Sequence, residues 1–267
     1  MRILDGRELA EYVKERQAKQ VRALRQTWNT LPKLALIVAS DTPVINTFVR
    51  LKKTYGEDIL IDVDVHAISQ ANVAELISTL NNDSSVHGIV LQLPLSDISE
   101  TDALVGLIAP EKDVDGLGPH AKYVSATATA IDWLLAGYNV SLSERSIAIV
   151  GNGRLVGAPL AKLWTNAGLD VTVYDDTTAD LATSLRSASV VVTATGVPGL
   201  IQSSMLSPGA VVVDAGTASE NGVIVGDVAD DVREREDITI TPVRGGVGPL
   251  TIAALFDNVI TAARALL

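Results

Sequence analysis

The chain contains no cysteine, which excludes disulfide bonds, thiolate nucleophiles and thiolate metal sites together. Histidine is also scarce: His66, His87 and His120 lie far apart without the spacing of metal ligands, so no metal site is expected. No apolar run is long enough to cross a bilayer, and the opening residues lack the apolar region of a secretory signal. We therefore expect a cytoplasmic protein with no membrane partner.

Basic side chains are too few to balance the acidic ones. Lys and Arg number 21 against 32 Asp and Glu, which gives a formal net charge of −11 at pH 7. This charge argues against nucleic acid as a partner. The 267 residues are 47% hydrophobic and 20% charged, as in a folded globular protein that forms one large domain or two smaller ones.

A glycine-rich stretch in the middle of the chain carries the strongest local signal. Residues 147–150 are apolar and mostly β-branched, and residues 155–167 repeat apolar side chains at helical spacing. Between them the glycines follow the pattern Gly151-x-Gly153-x-x-x-Gly157, one residue longer than the usual dinucleotide fingerprint. A strand that enters a helix through such a turn can bind a pyrophosphate. The alternative is a glycine turn without a ligand.

The first half of the chain alternates helices and strands. This order predicts right-handed crossovers and a parallel sheet, whose ligands gather at the carboxyl ends of the strands. The pattern indicates helices over residues 6–28, 43–55 and 72–80, and strands over residues 34–38, 59–65 and 88–95.

Three polar features stand out against this apolar pattern. Lys52 shares a helix face with Ile45 and Phe48, so it either extends its ammonium to solvent or serves a site. Gln92 interrupts the third strand and is either a structural support or a ligand contact, because a buried amide needs partners. Residues 111–116 form a polar loop that could equally be a solvated turn.

The second half repeats the alternation. A connecting helix over residues 123–136 leads to a second unit that starts near Ser146. Its later elements are predicted as strands at 171–174, 190–192, 211–213 and 238–240, a turn at 220–222, a glycine-containing loop at 241–251 and a closing helix at 251–266. Such a loop can approach a ligand with its backbone.

Several segments together resemble one family, the bifunctional methylenetetrahydrofolate dehydrogenase/methenyltetrahydrofolate cyclohydrolases (FolD type). The resemblance is collinear over nearly the whole chain. It rests on Gln92-Leu93-Pro94-Leu95, Lys112-Asp113-Val114-Asp115-Gly116, Val156-Gly157-x-Pro159, Asn221-Gly222 with Gly226-Asp227-Val228, and Gly245-Gly246-Val247-Gly248-Pro249-x-Thr251.

The resemblance implies an α/β fold of two parallel-sheet domains, the second Rossmann-like, with a ligand cleft between them. Residues 1–122 plus 251–267 would form the folate-binding catalytic domain, to which the C-terminal helix returns. Residues 123–250 would form the dinucleotide-binding domain. The family also implies tetrahydrofolate derivatives as substrates, NAD or NADP as cofactor, and a homodimer.

Site residues carry over by position. Lys52 matches the catalytic lysine, Gln92 the amide that holds and tunes it, and Asp115 the carboxylate that binds the pterin ring. Desolvation of such a lysine favours proton exchange near neutral pH. The other substrate-binding positions are Phe48, Leu91, Leu93, Arg244, Gly245, Gly246, Val247, Gly248 and Pro249. The cofactor-binding positions are Thr127, Gly151, Asn152, Gly153, Asp175, Asp176, Thr217, Gly248 and Thr251.

The chain departs from the family pattern around both sites. Phe48 replaces a tyrosine, Ile45 a small hydroxyl residue and Arg244 a proline. Residues 125–129 keep only a threonine of a proline-cysteine-threonine-proline stretch, and residues 118 and 120 break the pattern after the acidic loop. These changes leave three readings open: both activities, cyclohydrolase alone, or a non-catalytic or substrate-shifted relative that binds folate-like ligands.

The cofactor positions favour NAD over NADP. Asn152 stands where the family often has an arginine for the extra phosphate of NADP. Asp175 and Asp176 end the second strand of the second unit, where a carboxylate suits a free ribose 2′-hydroxyl and repels a 2′-phosphate. The alternative is that these aspartates only cap a helix that begins near Thr178.

Overall fold

A computed structural model describes residues 1–220 and 223–267. Its strands are β1 (Arg2–Ile3), β2 (Lys33–Val38), β3 (Asp62–Ala67), β4 (Gly88–Gln92), β5 (Ile147–Val150), β6 (Val171–Tyr174), β7 (Val190–Thr193), β8 (Val211–Asp214), β9 (Ala218–Glu220), β10 (Val223–Val225) and β11 (Thr239–Ile240). Its α-helices are α1 (Gly6–Trp28), α2 (Pro43–Ile59), α3 (Val73–Asn82), α4 (Thr101–Val105), α5 (Ala126–Gly137), α6 (Gly157–Asn166), α7 (Leu181–Leu185), α8 (Asp230–Arg233) and α9 (Val247–Arg264).

The chain divides into two compact units, which we name after their sheets. The six-stranded unit comprises Met1–Ala10 and Thr127–Thr251, and the three-stranded unit comprises Glu11–Ala126 and Ile252–Leu267. The first ten residues therefore pack with the second half of the chain, which differs from the boundaries drawn from the sequence. The functional roles assigned to residues 1–122 with 251–267 and to residues 123–250 stay predictions.

The six-stranded unit has a parallel sheet in the order β1-β11-β8-β7-β5-β6. Successive side chains of β5 point to opposite faces of the sheet, as in any β-strand. Ile147 and Ile149 pack with Leu160 and Trp164 of α6, whereas Ala148 and Val150 belong to a second apolar cluster on the other face. The strand order reverses between β5 and β7, and ligands of open α/β sheets bind at the carboxyl edge of such a point.

The three-stranded unit has a parallel sheet in the order β3-β2-β4. Ala35 and Ile37 of β2 pack with apolar side chains of α3 and α4. Leu34 and Leu36, which alternate with them, are fully buried as well. Because β2 lies in the centre, the strand order of this sheet also reverses, between β2 and β4.

Several element boundaries differ from those predicted. Helix α2 continues to Ile59, because the chain leaves it only at Leu60, which adopts a left-handed conformation with φ 65° and bonds back to the last turn. Strand β3 consequently starts at Asp62 rather than at residue 59. Strand β4 ends at Gln92 rather than at residue 95, and α5 begins at Ala126, after the predicted start at residue 123.

Two further boundaries concern the candidate site. Helix α9 begins at Val247, so part of the predicted loop at residues 241–251 is already helical. Strands β9 and β10 pair antiparallel. Of the predicted turn at 220–222, Asn221 and Gly222 lie outside the described residues.

The amino-terminal segment completes the six-stranded sheet. Strand β1 pairs in parallel with β11 at the edge of the sheet. The backbone N–H of Gly6 donates to the carbonyl of Gly245 at 2.8 Å, and a Cβ on Gly6 would lie 1.8 Å from the carbonyl oxygen of Gly246. Any larger residue at position 6 would therefore displace the glycine loop that precedes α9.

His87 gives the three-stranded unit a specific dependence on pH. Its side chain is buried and its Nδ1 accepts a hydrogen bond from the backbone N–H of Lys33 at 3.2 Å. Burial, followed by the charges of Lys112 and Lys33, lowers the pKa of His87. The unfolded chain thus takes up this proton at a higher pH than the folded chain, so the free energy of unfolding falls as the pH drops below about 6.5.

We expect a His87→Gln variant to lose this component of the pH dependence. For one such group the slope reaches at most about 1.4 kcal/mol per pH unit. The measurement is urea unfolding of wild type and variant between pH 7.5 and pH 5. His120→Gln, in which an exposed histidine is replaced, is the matched control. Equal slopes for wild type and His87→Gln would contradict the expectation.

Candidate functional site

Lys52 and Gln92 meet at the carboxyl end of the three-stranded sheet. Gln92 is the last residue of β4 and pairs in register with Val38, the last residue of β2. The Lys52 Nζ donates a hydrogen bond to the Gln92 Oε1 at 2.9 Å. The Gln92 Nε2 donates to the carbonyl of Leu93 at 3.0 Å, and the following bond from Leu93 to Pro94 is cis. Both polar groups of this buried amide are thus engaged, one of them with the lysine.

Lys52 lies on helix α2, whose start is fixed by a capping residue and a proline. The side chain of Thr42 accepts a hydrogen bond from the backbone N–H of Ile45 at 3.2 Å, and a proline occupies the first turn, as the sequence predicts. Ile45 is 1% exposed and belongs to the core, whereas Phe48 and Lys52 are partly buried. The face predicted from their spacing is therefore present, with its aliphatic end in the core.

The charge of Lys52 is disfavoured by its surroundings. Burial lowers the pKa of Lys52, and the negative charge of Asp115 opposes this effect in part. Burial likewise raises the pKa of Asp115, while Lys52 lowers it and Asp113 adds to the rise. Lys52 therefore exchanges a proton closer to neutral pH than an exposed lysine does.

The loop that carries Asp115 is fixed by its neighbours. The buried carboxylate of Asp113 accepts hydrogen bonds from the backbone N–H of Gly116 at 3.1 Å and of Gly118 at 2.7 Å. The Lys112 Nζ donates to the last carbonyls of α3 and the turn after it. The Asn258 Nδ2 donates to the carbonyls of residues 114 and 124. Lys112 and Asp113 are thus structural members of the motif, and they hold Asp115 in place.

Asn258 supports this loop, and it is not among the positions predicted from the sequence. It is a polar amide in the largely apolar helix α9. Such a residue needs hydrogen-bond partners when it is buried, and this signal could have pointed to it.

The glycine turn after β5 has the geometry that a close approach of the backbone requires. Gly151 has φ +99°, and a Cβ on it would lie 2.6 Å from the carbonyl oxygen of Ala194. A Cβ on Gly157 would lie 1.8 Å from the carbonyl oxygen of Gly151. Gly153 is different, because a Cβ there would meet no atom within 4 Å. Two of the three glycines thus shape the turn, and Gly153 borders open space.

The two aspartates at the end of β6 are exposed and do not cap a helix. The Asp175 Oδ1 accepts hydrogen bonds from the N–H and the hydroxyl of Thr177 at 3.0 and 2.6 Å, and these bonds lower the pKa of Asp175. Helix α7 begins later, at Leu181, and Asp180 caps it. The capping alternative for Asp175 and Asp176 is therefore wrong.

The glycine segment before α9 divides into two parts. Gly245 has φ +90° and packs against the side chain of Arg7, which also donates a hydrogen bond to the carbonyl of Arg244. Val247, Gly248 and Pro249 lie in the first turn of α9 rather than in a loop, because proline is compatible with that turn. Gly248 is exposed, and a Cβ on it would meet no atom within 4 Å.

The remaining predicted positions are distributed over both units. Leu91 is buried in the core of the three-stranded unit, and Leu93 is partly exposed. In the six-stranded unit, Thr127 lies in the first turn of α5 and Thr217 is exposed after β8. Thr251 donates its hydroxyl to the carbonyl of residue 247 at 3.2 Å.

Two negative findings hold for residues 1–220 and 223–267. In that part of the chain no group of three or more His, Asp and Glu side chains is arranged to hold a metal ion. Nor does any helix described there have the length and apolar character needed to cross a membrane.

These features show to which class of protein the chain belongs. The six-stranded unit is an open parallel α/β domain with a glycine turn at its switch point, as in dinucleotide-binding domains. The three-stranded unit carries a desolvated lysine, held by an amide, at the equivalent edge of its own sheet. The chain is thus an α/β enzyme of two units.

Comparisons with known proteins identify the family. Residues 4–115 match the tetrahydrofolate dehydrogenase/cyclohydrolase catalytic domain, and residues 125–267 match the NAD(P)-binding domain of the same family. The bifunctional protein FolD of Exiguobacterium sibiricum is 34% identical over 275 residues, which cover 98% of this chain and 99% of that protein.

Solved structures agree with this assignment. The bifunctional FolD of Campylobacter jejuni is 35% identical, with a TM-score of 0.93 over 100% of both chains. FolD of Trypanosoma brucei, complexed with NADP cofactor and an inhibitor, is 30% identical, with a TM-score of 0.92 over 99% of this chain and 97% of that one.

The chain belongs to the tetrahydrofolate dehydrogenase/cyclohydrolase family. It is an NAD(P)-dependent methylenetetrahydrofolate dehydrogenase and a methenyltetrahydrofolate cyclohydrolase. The predicted family, the two-domain α/β fold with its Rossmann-like domain, and the leading reading of both activities are confirmed. No observation favours the cyclohydrolase-only, non-catalytic or substrate-shifted alternatives.

Proposed function

We propose that Lys52 is the acid–base residue of the hydrolytic step, with Gln92 and Asp115 as its partners. The observation that carries this proposal is the 2.9 Å hydrogen bond between the Lys52 Nζ and the Gln92 Oε1, beside a carboxylate close enough to change the pKa of the lysine. Gln92 fixes the direction of the amine, and burial lowers the pKa of Lys52, so the neutral amine forms at a lower pH than in an exposed lysine.

The hydrolysis needs a group that accepts a proton from water, and the amine of Lys52 can serve as that group. Water adds to the carbon that bridges the two folate nitrogens in methenyltetrahydrofolate, and the amine of Lys52 accepts the proton that the water loses. The added hydroxyl then loses its remaining proton and becomes the carbonyl of the formyl group. At the same time the bond from this carbon to one ring nitrogen breaks, and that nitrogen takes up a proton. The products are formyltetrahydrofolate and one released proton, so atoms and charge balance.

The folate ligand is assigned to the three-stranded unit. Asp115 is the proposed acceptor for the hydrogen-bond donors of the pterin ring. The ring of Phe48 offers a flat surface for stacking, although it lacks the hydroxyl of a tyrosine. The partly exposed side chain of Leu93 is a further proposed contact, and Leu91 is buried in the core of the same unit. For residues 244–249 of the six-stranded unit, the substrate-binding role rests on the family resemblance alone.

The six-stranded unit is the proposed site of the dinucleotide. The open space beside Gly153 and Gly248, together with the left-handed turn at Gly151, fits a ligand that approaches the backbone closely. Asn152, Thr127, Thr217 and Thr251 are the proposed polar contacts. The nicotinamide, when bound, supplies the chemistry of the dehydrogenase step by accepting a hydride. The protein supplies orientation.

The test of this function follows the absorbance of methenyltetrahydrofolate. Its formation from methylenetetrahydrofolate is measured with NAD⁺ and with NADP⁺ at equal concentration, and its disappearance is measured as hydrolysis. We expect both reactions to exceed the uncatalysed rate. Hydrolysis that stays at the uncatalysed rate would reject the role of Lys52.

We further propose that the enzyme prefers NAD over NADP. The charged Asp175 lies exposed at the end of β6, where a 2′-phosphate would be repelled, and Asn152 offers no positive charge to offset it.

We expect Asp175→Ser, which can keep the turn with Thr177, to lower the KM for NADP⁺ relative to that for NAD⁺ about tenfold. Asp180→Ser removes the same charge and keeps a capping hydroxyl, so it serves as the control. A wild type that already prefers NADP⁺ would end the proposal.

Homodimer formation, a cytoplasmic location and the lack of a nucleic-acid partner complete the proposal. Strand β6 is the outer strand of its sheet, with Thr172 and Val173 exposed, and offers an edge to a second copy. The absence of cysteine suits a reducing compartment, and the net charge of −11 disfavours binding to phosphate backbones.

A further inference from the structure

The segment Gly226-Asp227-Val228 contributes to the family resemblance, yet none of the roles above uses it. Asp227 is fully buried in the six-stranded unit. Its Oδ2 accepts a hydrogen bond from the hydroxyl of Thr193 at 2.8 Å and another from the backbone N–H of Thr195 at 2.6 Å. The carboxylate therefore joins the end of β7 to the loop that follows this strand.

A second carboxylate fixes the next loop to the same segment. Asp214, at the end of β8, accepts hydrogen bonds from the backbone N–H of Gly216 at 3.1 Å, of Asp227 at 3.0 Å and of Val228 at 3.2 Å. Arg233 donates to it at 3.1 Å. The loops after β7 and β8 are thus held by one buried cluster.

The loop after β8 also packs directly onto Asp227. A Cβ on Gly216 would lie 2.2 Å from the Asp227 Oδ1, an oxygen that has no hydrogen-bond partner in the described part of the chain. Only glycine fits between this carboxylate and the turn that leads to Thr217. Any change in the volume of the carboxylate is therefore transmitted to that turn.

The loop after β7 supports the glycine turn in the same way. The backbone N–H of Ala194 donates to the carbonyl of Val150 at 2.9 Å. A Cβ on Gly151 would lie 2.6 Å from the carbonyl oxygen of Ala194 and 3.2 Å from a methyl group of Thr195. Contacts therefore run without a gap from the Asp227 carboxylate through Thr195 to the glycine turn. All of these atoms lie at the carboxyl edge of the sheet, where a dinucleotide binds.

We propose that Asp227 is a positioning residue for the dinucleotide. It does not touch the cofactor; it holds the loops after β7 and β8 in the conformation that accepts the cofactor. One carboxylate that accepts a hydrogen bond from a hydroxyl and another from a backbone N–H fixes both donors, which suits this task. The inference rests on the proposed cofactor site of the six-stranded unit.

The test compares Asp227→Ala and Asp227→Asn with wild type. The Kd for NAD⁺ and for NADP⁺ is measured by calorimetry without folate, and amide hydrogen exchange reports on the N–H of Thr195. We expect Asp227→Ala to raise the Kd for the preferred dinucleotide about tenfold or more and to speed exchange at Thr195. Asp227→Asn retains an acceptor oxygen and should show a smaller effect in both measurements.

Two controls distinguish a positioning role of Asp227 from a general loss of structure. One is a variant of another aspartate, and the other is the hydrolysis rate of the Asp227 variants themselves. Asp231→Asn changes an exposed aspartate that accepts a hydrogen bond from the N–H of Ser203 at 3.1 Å, and both readouts should stay at wild-type values. Methenyltetrahydrofolate hydrolysis uses no dinucleotide, so its rate should stay within about twofold in the Asp227 variants.

Three outcomes would overturn the proposal. In the first, folded Asp227→Ala and Asp227→Asn bind the dinucleotide like wild type. In the second, binding and hydrolysis fall together in proportion to the unfolded fraction seen by circular dichroism, which shows a purely structural role. If Asp227→Ala does not fold, Asp227→Asn decides by the same two measurements. In the third, wild type binds neither dinucleotide, and the proposed cofactor site then fails together with the proposal.

Discussion

Replacing Lys52 with methionine is expected to lower the rate of methenyltetrahydrofolate hydrolysis by at least about 100-fold. Methionine keeps the helix propensity and most of the volume of lysine, so α2 should be retained. The variant removes the amine that hydrogen-bonds the Gln92 Oε1 at 2.9 Å. The measurement is the decay of methenyltetrahydrofolate absorbance at saturating substrate.

The neighbouring Lys53 offers a matched control. It has the same side chain on the same helix, but it is exposed. Lys53→Met should therefore hydrolyse at a rate within about twofold of wild type. Equal rates for Lys52→Met and Lys53→Met would show that Lys52 takes no part in proton transfer.

The pH dependence supplies a further check of the same residue. Burial lowers the pKa of Lys52, so the neutral amine forms at a lower pH than in an exposed lysine. The hydrolysis rate of wild type should rise with pH as Lys52 loses its proton and then level off. This rise should be absent from the residual rate of Lys52→Met.

Gly157→Ala is expected to destabilise the protein by about 3 kcal/mol and to abolish dinucleotide binding. The reason is steric. The added Cβ would lie 1.8 Å from the carbonyl oxygen of Gly151, and the backbone cannot move away without opening the turn between β5 and α6. Urea unfolding and calorimetric titration with NAD⁺ measure the two effects.

Gly153→Ala is the contrasting variant in the same turn. Its Cβ would meet no atom of the chain within 4 Å, so stability should change by less than about 1 kcal/mol. Its Kd for NAD⁺ should nevertheless rise if the ligand occupies the open space beside this residue. A Gly157→Ala variant that is as stable as wild type would contradict the packing described for the turn.

The sequence predicts regular elements well where one pattern dominates. Helix α1 has the predicted bounds because apolar residues recur at helical spacing along most of its length, and β5 and β6 are bounded by turn residues on both sides. The contact between Lys52 and Gln92 is implied by the family resemblance, which names both residues, and the structure contains their hydrogen bond.

Other features depend on tertiary contacts that leave no local pattern. Leucine rarely adopts a left-handed conformation, so nothing in the sequence marks Leu60 as the end of α2. The choice of Asp180 rather than Asp175 as a cap depends on where the chain leaves the turn after β6. The cluster around Asp227 joins positions that are far apart in sequence, and no local pattern shows which of them are in contact.

The pairing of β1 with β11 has a consequence for biosynthesis. Ribosomes release the amino terminus first, and Arg2 and Ile3 find their partners only when Thr239 and Ile240 have left the exit tunnel. The edge of the six-stranded sheet therefore closes only after β11 has been synthesised. Such long-range closure slows folding, because the chain must lose the entropy of a large loop before the contact forms. Until then the backbone groups of β1 have no strand partner in the sheet.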